Sequence, residues 1–579
     1  MEKYYTDERN AQVVVSLLKQ HGIRKIIASP GATNVNLVRS LQVDPFFEMY
    51  SSVDERSAAY LACGLASETG ETVVLSCTGA TASRNYLPGL TEAFYRKLPV
   101  LVITSTQSIS RVGHLIPQVI DRSVQPNDTV KLSLLLPIIK DEEDYWDCQI
   151  KVNKAILELK RRGSGPVHVN LPTTYTSTYK TTELPFVQKI ERYFLYDNLP
   201  IIMSNRIAIF IGSHSVWSID ETQIMDEFCS KFNAVVFCDH SSNYKGKYRI
   251  LSSLLGCQHI SDNSIKPDLL IHIGEVSGDY YNGIVKAPKV WRVSSDGEIR
   301  DTFRSLENVF EMSEYYFFKN YCNQASEAKI NEYFSACTSK LESLRLKLPQ
   351  LPYSNIWIAS QIAHQLPENS VIHFGILNSL RSWNFFELPT SVSSFSNVGG
   401  FGIDGGVSSL IGASLSNSEK LFFGVFGDLA FFYDLNVLGN RHVGNNVRIM
   451  LVNNGKGTEF RLYSHQASQF GDEADAYIAA AKHFGNKSDT LVKNYASDLG
   501  FQYLSASSKN EFNEVYPLFI QNQLTNKPII FEVFTNSKDE SDALDLMMSI
   551  HTSTQNEIKK ITKNILGEDL SGLLKKIIR

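Results

Sequence analysis

Short apolar, β-branched runs alternate with stretches of helical period along almost the whole 579-residue chain, the pattern of α/β domains built on parallel sheets. In the first block the pattern predicts a helix over residues 11–20, a strand in "RKIIASPG", a helix in "NVNLVRSL", a strand in "ETVVLSCTG", a helix in "ASRNYLPGLTEAFY" and strands in "LPVLVITST" and "GPVHVNLP". A stretch from about 181 to 200 keeps no stable period and reads as a linker. A second block carries strands in "IAIFIGSHS", "NAVVFCDHS", "PDLLIHIGE" and "KVWRVSS", then charge-rich helical sequence from about 300 to 348, closed by the two prolines of "KLPQLPYSN". A third repeats the alternation with "SVIHFGI", "KLFFGVFGD", "VRIMLVNNG" and "PIIFEVF". The expected organisation is three doubly wound parallel-sheet domains, over 1–182, 190–348 and 354–555, followed by an amphipathic basic tail over 556–579.

Composition narrows the function without naming it. Net charge is -5 with both signs scattered, which leaves no basic footprint for nucleic acid or an anionic membrane, and no apolar run approaches the ~20 residues of a membrane span. Small-molecule substrates and a cytoplasmic location are expected. The eight cysteines are dispersed without a CxxC pair and read as reduced structural thiols. "FIGSHS" in the second block lacks a GxGxxG fingerprint, which argues against FAD.

Candidate chemistry concentrates in "GVFGDLAFFYDLNVLGNRHVGNNVRIMLVNNGKGTEF", residues 424–460. One strand ends in Gly427-Asp428 and the next in Asn453-Asn454, so a carboxylate and a carboxamide reach the same C-terminal sheet edge, where α/β proteins bind ligands. Each alone reads better as a turn; their spacing at the ends of successive strands is far more specific. Both are hard oxygen donors of the kind Mg²⁺ takes, and the helix opening at Leu429-Ala430 directs N–H groups towards phosphate. A second segment raises a different question: "SSVDERSAAYLACGLASETGE" places Asp54 and Glu55 at the start of a helix of small residues. An N-cap or first-turn acid accounts for Asp54 better than for Glu55.

The 424–460 segment resembles the thiamine-diphosphate signature. Together with "ASPGATNVNLV", the stretch from "DERSAAY" to "VLVITS" and "FSNVGGFGIDGGVSSLIGASL", it resembles the menaquinone-pathway 2-succinyl-5-enolpyruvyl-6-hydroxy-3-cyclohexene-1-carboxylate synthases of that superfamily. The likeness covers the first and third blocks closely and the second only in general pattern. It implies a pyrimidine-binding domain, a central domain and a diphosphate-binding domain. It implies thiamine diphosphate and Mg²⁺ as cofactors, with Asp428 and Asn454 as side-chain ligands and Lys456 ligating through its carbonyl. Glu55 matches the glutamate that contacts N1′ of the aminopyrimidine and so promotes loss of the C2 proton. Pro30, Gly31, Thr78, Gly79, Asn397, Ile403, Gly427, Leu429, Ala430 and Gly457 would contact the cofactor, Ile403 as the bulky residue beneath it. Gln118 and Glu459 would face the reacting centre. Glutamate and metal motif lie on different domains that the superfamily joins across subunits, which implies a homodimer or homotetramer.

The likeness breaks at substrate-binding arginines. Where those synthases hold carboxylates with guanidinium forks, this chain has Ala32-Thr33-Asn34, Trp383 and Val398. Arg381 can replace one clamp in part, and Arg84, Arg111 and Arg122 read as surface or structural residues. Glu459 stands where the synthases have an apolar side chain; it either repels a distal substrate carboxylate, relays a proton, or faces solvent from a loop. The expected activity is decarboxylation of a 2-oxo acid, pyruvate favoured, with transfer of the acyl carbanion to an acceptor carbonyl. The alternatives are release of an aldehyde without ligation, use of 2-oxoglutarate as in those synthases, or a non-catalytic cofactor-binding protein, which intact Glu55, Asp428 and Asn454 argue against.

Overall fold

The computed structural model describes residues 4–260, 262–279, 281–325, 330–483 and 488–552; the tail expected over 556–579 lies outside them. The chain divides into two compact units, residues 1–199 with 296–311, and residues 200–295 with 312–579. The fold class is α/β, with parallel strand pairing throughout three sheets.

In the first unit, strands β1 (Lys25–Ala28), β2 (Glu48–Ser51), β3 (Val73–Thr78), β4 (Val100–Thr106), β5 (Leu132–Leu135) and β6 (Val167–Pro172) lie in the order β2-β1-β3-β4-β6-β5. The period of two explains why both faces are covered. Ile26, Val74, Leu101 and Ile103 pack with the helices Arg9–Gln20 and Glu142–Glu158. Their neighbours Ile27, Val73, Leu75, Val100 and Val102 pack with Glu55–Thr69 and Leu87–Tyr95 on the other face. The small residues of the Glu55 helix serve that packing: a Cβ on Gly89 would stand 2.4 Å from Cβ of Ala59, so the two helices approach as closely as their backbones permit. The stretch read as a linker contains β7 (Glu191–Phe194).

The second unit carries β8 (Ile207–Ile211), β9 (Ala234–Cys238), β10 (Arg249–Leu251), β11 (Leu269–Ile273) and β12 (Val290–Ser294), in the order β10-β9-β8-β11-β12. Strand β13 (Leu306–Glu311), in sequence expected to be helical, pairs in parallel with β7 within the first unit. The last sheet comprises β14 (Val371–Phe374), β15 (Ser393–Ser396), β16 (Phe422–Gly427), β17 (Val447–Asn453), β18 (Gln502–Ala506) and β19 (Ile529–Phe534), ordered β15-β14-β16-β17-β19-β18. All eight cysteines are buried and unpaired by disulfides. No helix among the described residues is long and apolar enough to cross a membrane.

One buried carboxylate ties the third sheet to the helices that close it. Glu540, 6% exposed, accepts hydrogen bonds from the Asn355 amide at 3.0 and 3.1 Å and from the Thr535 hydroxyl at 2.7 Å. Asn355 in turn accepts from the Trp383 indole at 3.2 Å. Burial pushes the Glu540 carboxyl up from 4.5 to about 7. The folded chain therefore holds a proton that the unfolded chain has released, and stability falls as pH rises from about 4.5 through about 7. Chemical denaturation of Glu540→Gln at pH 5 and pH 8 is expected to show that dependence reduced by roughly 3 kcal/mol relative to the parent chain.

Candidate active site

In the second unit, β16 and β17 run side by side with Gly427 opposite Val452, which brings the Gly-Asp and Asn-Asn ends to one sheet edge. Gly427 is extended and the helix Asp428–Tyr433 begins directly after it, including Leu429 and Ala430. Asp428 is 3% exposed. One of its oxygens accepts from the Leu429 amide at 2.7 Å and the other from the Gly455 amide at 2.7 Å. Burial raises its carboxyl to about 6 in spite of backbone hydrogen bonds, because backbone dipoles do not replace the lost hydration of a full charge.

The two asparagines separate in function because successive strand residues point to opposite faces. Asn453 donates to Glu532 at 2.7 Å inside the sheet. Asn454 has a buried Oδ1 without a hydrogen-bond partner. A buried carboxylate and an orphaned carboxamide oxygen, on adjacent strand ends, form a donor set that suits a hard divalent cation. The Lys456 ammonium is held by Asp475 at 2.5 Å, which leaves its backbone as the part available to a ligand. Gly457 packs tightly: its amide donates to the Ala479 carbonyl at 2.6 Å, and an added Cβ would stand 3.1 Å from Phe460.

Glu459 lies in the turn Thr458–Arg461 that follows. Its carboxylate meets the Arg381 guanidinium in a two-pronged pair of 2.9 and 3.1 Å. The arginine side chain is 8% exposed and the glutamate 21%. Glu459 is thus paired and only partly exposed, and the Arg381 fork is occupied by its carboxylate. Trp383 is fully buried and Val398 is 2% exposed, so neither position supplies a cation. Ile403 is half-buried in the loop before the helix Gly406–Ser414. Asn397 donates to Ser409 at 3.0 Å and to the Gly405 carbonyl at 3.3 Å, bracing that loop.

In the first unit, the ends of β1 and β3 meet at Gly31 and Thr78: a Cβ on Gly31 would fall 1.9 Å from the Thr78 methyl, so only glycine permits the approach. Pro30 and Gly31 line an open groove of about 730 Å³ with Asn34 and Tyr50. Thr33 donates to the Ser105 carbonyl at 2.6 Å and Asn34 to that of Ser29 at 2.9 Å, so both are engaged in holding the strand ends. Asp54 caps the following helix by accepting from the Ser57 amide, which frees Glu55, half-buried at the first helical position. Glu55 accepts from the Asn85 carboxamide at 3.2 Å. Gln118 is exposed with φ of 64°, a left-handed conformation costly for a side-chain-bearing residue. Of the unplaced arginines, Arg84 and Arg111 are exposed, whereas Arg122 is buried and donates to the Gly79 carbonyl at 2.6 Å. The Arg381–Glu459 pair and the burial of Arg122 carry no sequence signal, since the partners are 78 and 43 residues apart.

A family model described as "Thiamine pyrophosphate enzyme, N-terminal TPP binding domain" matches residues 9–125. The 2-succinyl-5-enolpyruvyl-6-hydroxy-3-cyclohexene-1-carboxylate synthase of Bacteroides fragilis is 30% identical over 563 residues, covering 93% of this chain and 98% of that protein. The enzyme of the same name from Bacteroides thetaiotaomicron is 30% identical over 558 residues, with the same coverage. That from Flavobacterium johnsoniae is 28% identical over 553 residues, covering 91% and 96%. The chain belongs to this synthase family, and it is a thiamine-diphosphate-dependent enzyme of the kind that decarboxylates a 2-oxo acid and forms a C–C bond.

Proposed function

We propose that the donor is a small 2-oxo acid without a second carboxylate, pyruvate foremost, and that the acyl unit passes to the carbonyl of an acceptor. The observation that carries this reading is the closed Arg381–Glu459 pair. A guanidinium fork already filled by a carboxylate at 2.9 and 3.1 Å has no place for a distal substrate carboxylate. The remaining positions where the relatives' resemblance implies clamps carry Ala32, Thr33, Asn34, Trp383 and Val398, none of them cationic.

In this reading Asp428, Asn454 and the Lys456 carbonyl hold Mg²⁺, while Gly427, Leu429, Ala430 and Gly457 surround the diphosphate. Thiamine diphosphate supplies the nucleophilic carbon and the electron sink for decarboxylation. Glu55 holds a proton against the aminopyrimidine, Ile403 supports the cofactor from below, and Pro30, Gly31, Thr78 and Gly79 line its other end, with Gln118 towards the substrate. Asn397 steadies the loop that carries Ile403. The protein acts as a homodimer or homotetramer. Val53, Tyr60 and Leu61, at 78%, 48% and 54% exposure around the Glu55 helix, support that assembly by offering an apolar face to a second copy. The domains are taken as 1–182, 190–348 and 354–555.

Five measurements test this reading. With thiamine diphosphate and Mg²⁺, CO₂ release is expected from pyruvate and not from 2-oxoglutarate; turnover of 2-oxoglutarate alone would overturn it. Glu459→Gln frees the Arg381 fork and is expected to shift the kcat/KM ratio at least about tenfold towards 2-oxoglutarate, a gain of ~1.4 kcal/mol. Glu55→Gln is expected to lower kcat by roughly 10²-fold or more while cofactor binding persists. For the metal, Asn454→Leu is expected to weaken Mg²⁺ in calorimetric titration by at least about tenfold. In the parent chain, Mg²⁺ affinity should fall as pH drops through about 6, because the Asp428 carboxylate binds the ion only when deprotonated.

A further inference from the structure

The first unit contains a compact cavity of about 170 Å³ at the C-terminal ends of β4, β5 and β6. That is the share of liquid volume taken by roughly five or six water molecules at ~30 Å³ each, too small for a nucleotide or sugar and well matched to a short-chain acid. Its lining includes the polar Arg122, Ser133 and Asn170 and the aliphatic Val112, Ile120 and Leu134.

Arg122 is 5% exposed. One terminal nitrogen donates to the Gly79 carbonyl, but Nε is buried with no partner, and no carboxylate pairs with this guanidinium among the described residues. Burial holds its pKa down at about 10, and the nearby Arg84 cation adds to the effect, which still leaves the group charged near neutrality. A buried cation without a counter-ion is expensive, and an anion beside it recovers much of that cost.

A hydrogen-bond chain fixes what the neighbouring groups present. The Thr104 hydroxyl donates to the Asn170 carboxamide oxygen at 3.3 Å and so must accept from His168 Nε2 at 2.8 Å. His168 is fully enclosed, its pKa lowered to about 3 by burial, so its Nδ1 is a bare acceptor and the Ser133 hydroxyl donates to it at 2.9 Å. With its oxygen taken by Thr104, Asn170 has its NH₂ left to offer to a ligand. The cavity therefore combines a buried cation and an amide donor with an aliphatic wall.

We propose that this cavity binds a small aliphatic carboxylate, its oxygens on Arg122 and the Asn170 amide and its alkyl end on Val112, Ile120 and Leu134. The same guanidinium grips the Gly79 carbonyl, so occupancy is coupled to the backbone at the end of β3. The proposal does not depend on which donor acid the enzyme uses.

Calorimetric titration of the full chain, free of thiamine diphosphate and Mg²⁺, with propionate, pyruvate and the neutral isostere propionamide tests it. Both carboxylates are expected to bind at least tenfold more tightly than propionamide. Arg122→Gln and Ile120→Phe, the latter filling the cavity while keeping the cation, are each expected to weaken carboxylate binding at least tenfold with the thermal melt retained. If Arg122→Gln does not fold, Ile120→Phe decides the matter. Pyruvate binding more tightly than propionate would identify the occupant as a 2-oxo acid, and the reverse as a plain carboxylate effector; both outcomes support the site. Absence of binding, equal binding of propionamide, or carboxylate binding unchanged by Ile120→Phe would overturn it.

Discussion

The arrangement of the third sheet turns on a single desolvated charge. Asp428 lies at the end of β16 with only backbone amides for company, from Leu429 at the start of its own helix and from Gly455 beyond the neighbouring strand. The Gly455 bond joins the two strand ends, so the carboxylate helps to fix the spacing between Gly427 and the Asn454 loop. A hydrophobic side chain of equal size would satisfy the packing but would leave the Gly455 amide without its acceptor. The position is built for charge at a cost in folding free energy, the usual mark of a functional site.

The proposed donor preference rests on a second balance of charge. The Arg381 guanidinium, almost wholly buried, has Glu459 as its counter-ion, and that carboxylate sits on the turn that follows the Asn454 loop. An internal acid in the fork turns a site able to bind anions into a nearly neutral one. In the proposed function the retained fork would make specificity readily reversible, since a single carboxylate separates the neutral state from a cationic one.

Legibility in the sequence tracked burial. The strands read from their apolar runs, such as β3, β4, β8, β11, β16 and β17, are buried along nearly their full length. Those that escaped reading, such as β5, β7 and β18, are only partly buried and lie at sheet margins, so their composition approaches that of a loop. Strand β13 failed for a different reason: its charged residues serve ion pairs, Glu311 with Arg161 and Arg162, which masked the strand pattern. At the site, Asp54 was legible as the cap in place of Glu55, while the bond that ties Asn453 to Glu532 was not. What was not legible were pairings across long sequence separations, Arg381 with Glu459 and Arg122 with Gly79, because nothing local distinguishes a buried arginine from a surface one.

The third sheet and its helices bury three carboxyl groups whose ionisation is opposed by their surroundings. Glu532 and Glu540, like Asp428, have carboxyls raised by burial, and the Asp428 charge contributes to the shift of both. Burial and the Asp428 charge both favour the protonated, neutral forms of Glu532 and Glu540, so the interior beside this sheet edge resists gaining negative charge. In the proposed function, a divalent cation held by Asp428 and Asn454 would favour the ionised Asp428 carboxylate, so its binding free energy would enter the stability of the fold around that edge. On that reading, metal affinity and folding stability would draw on the same buried acids.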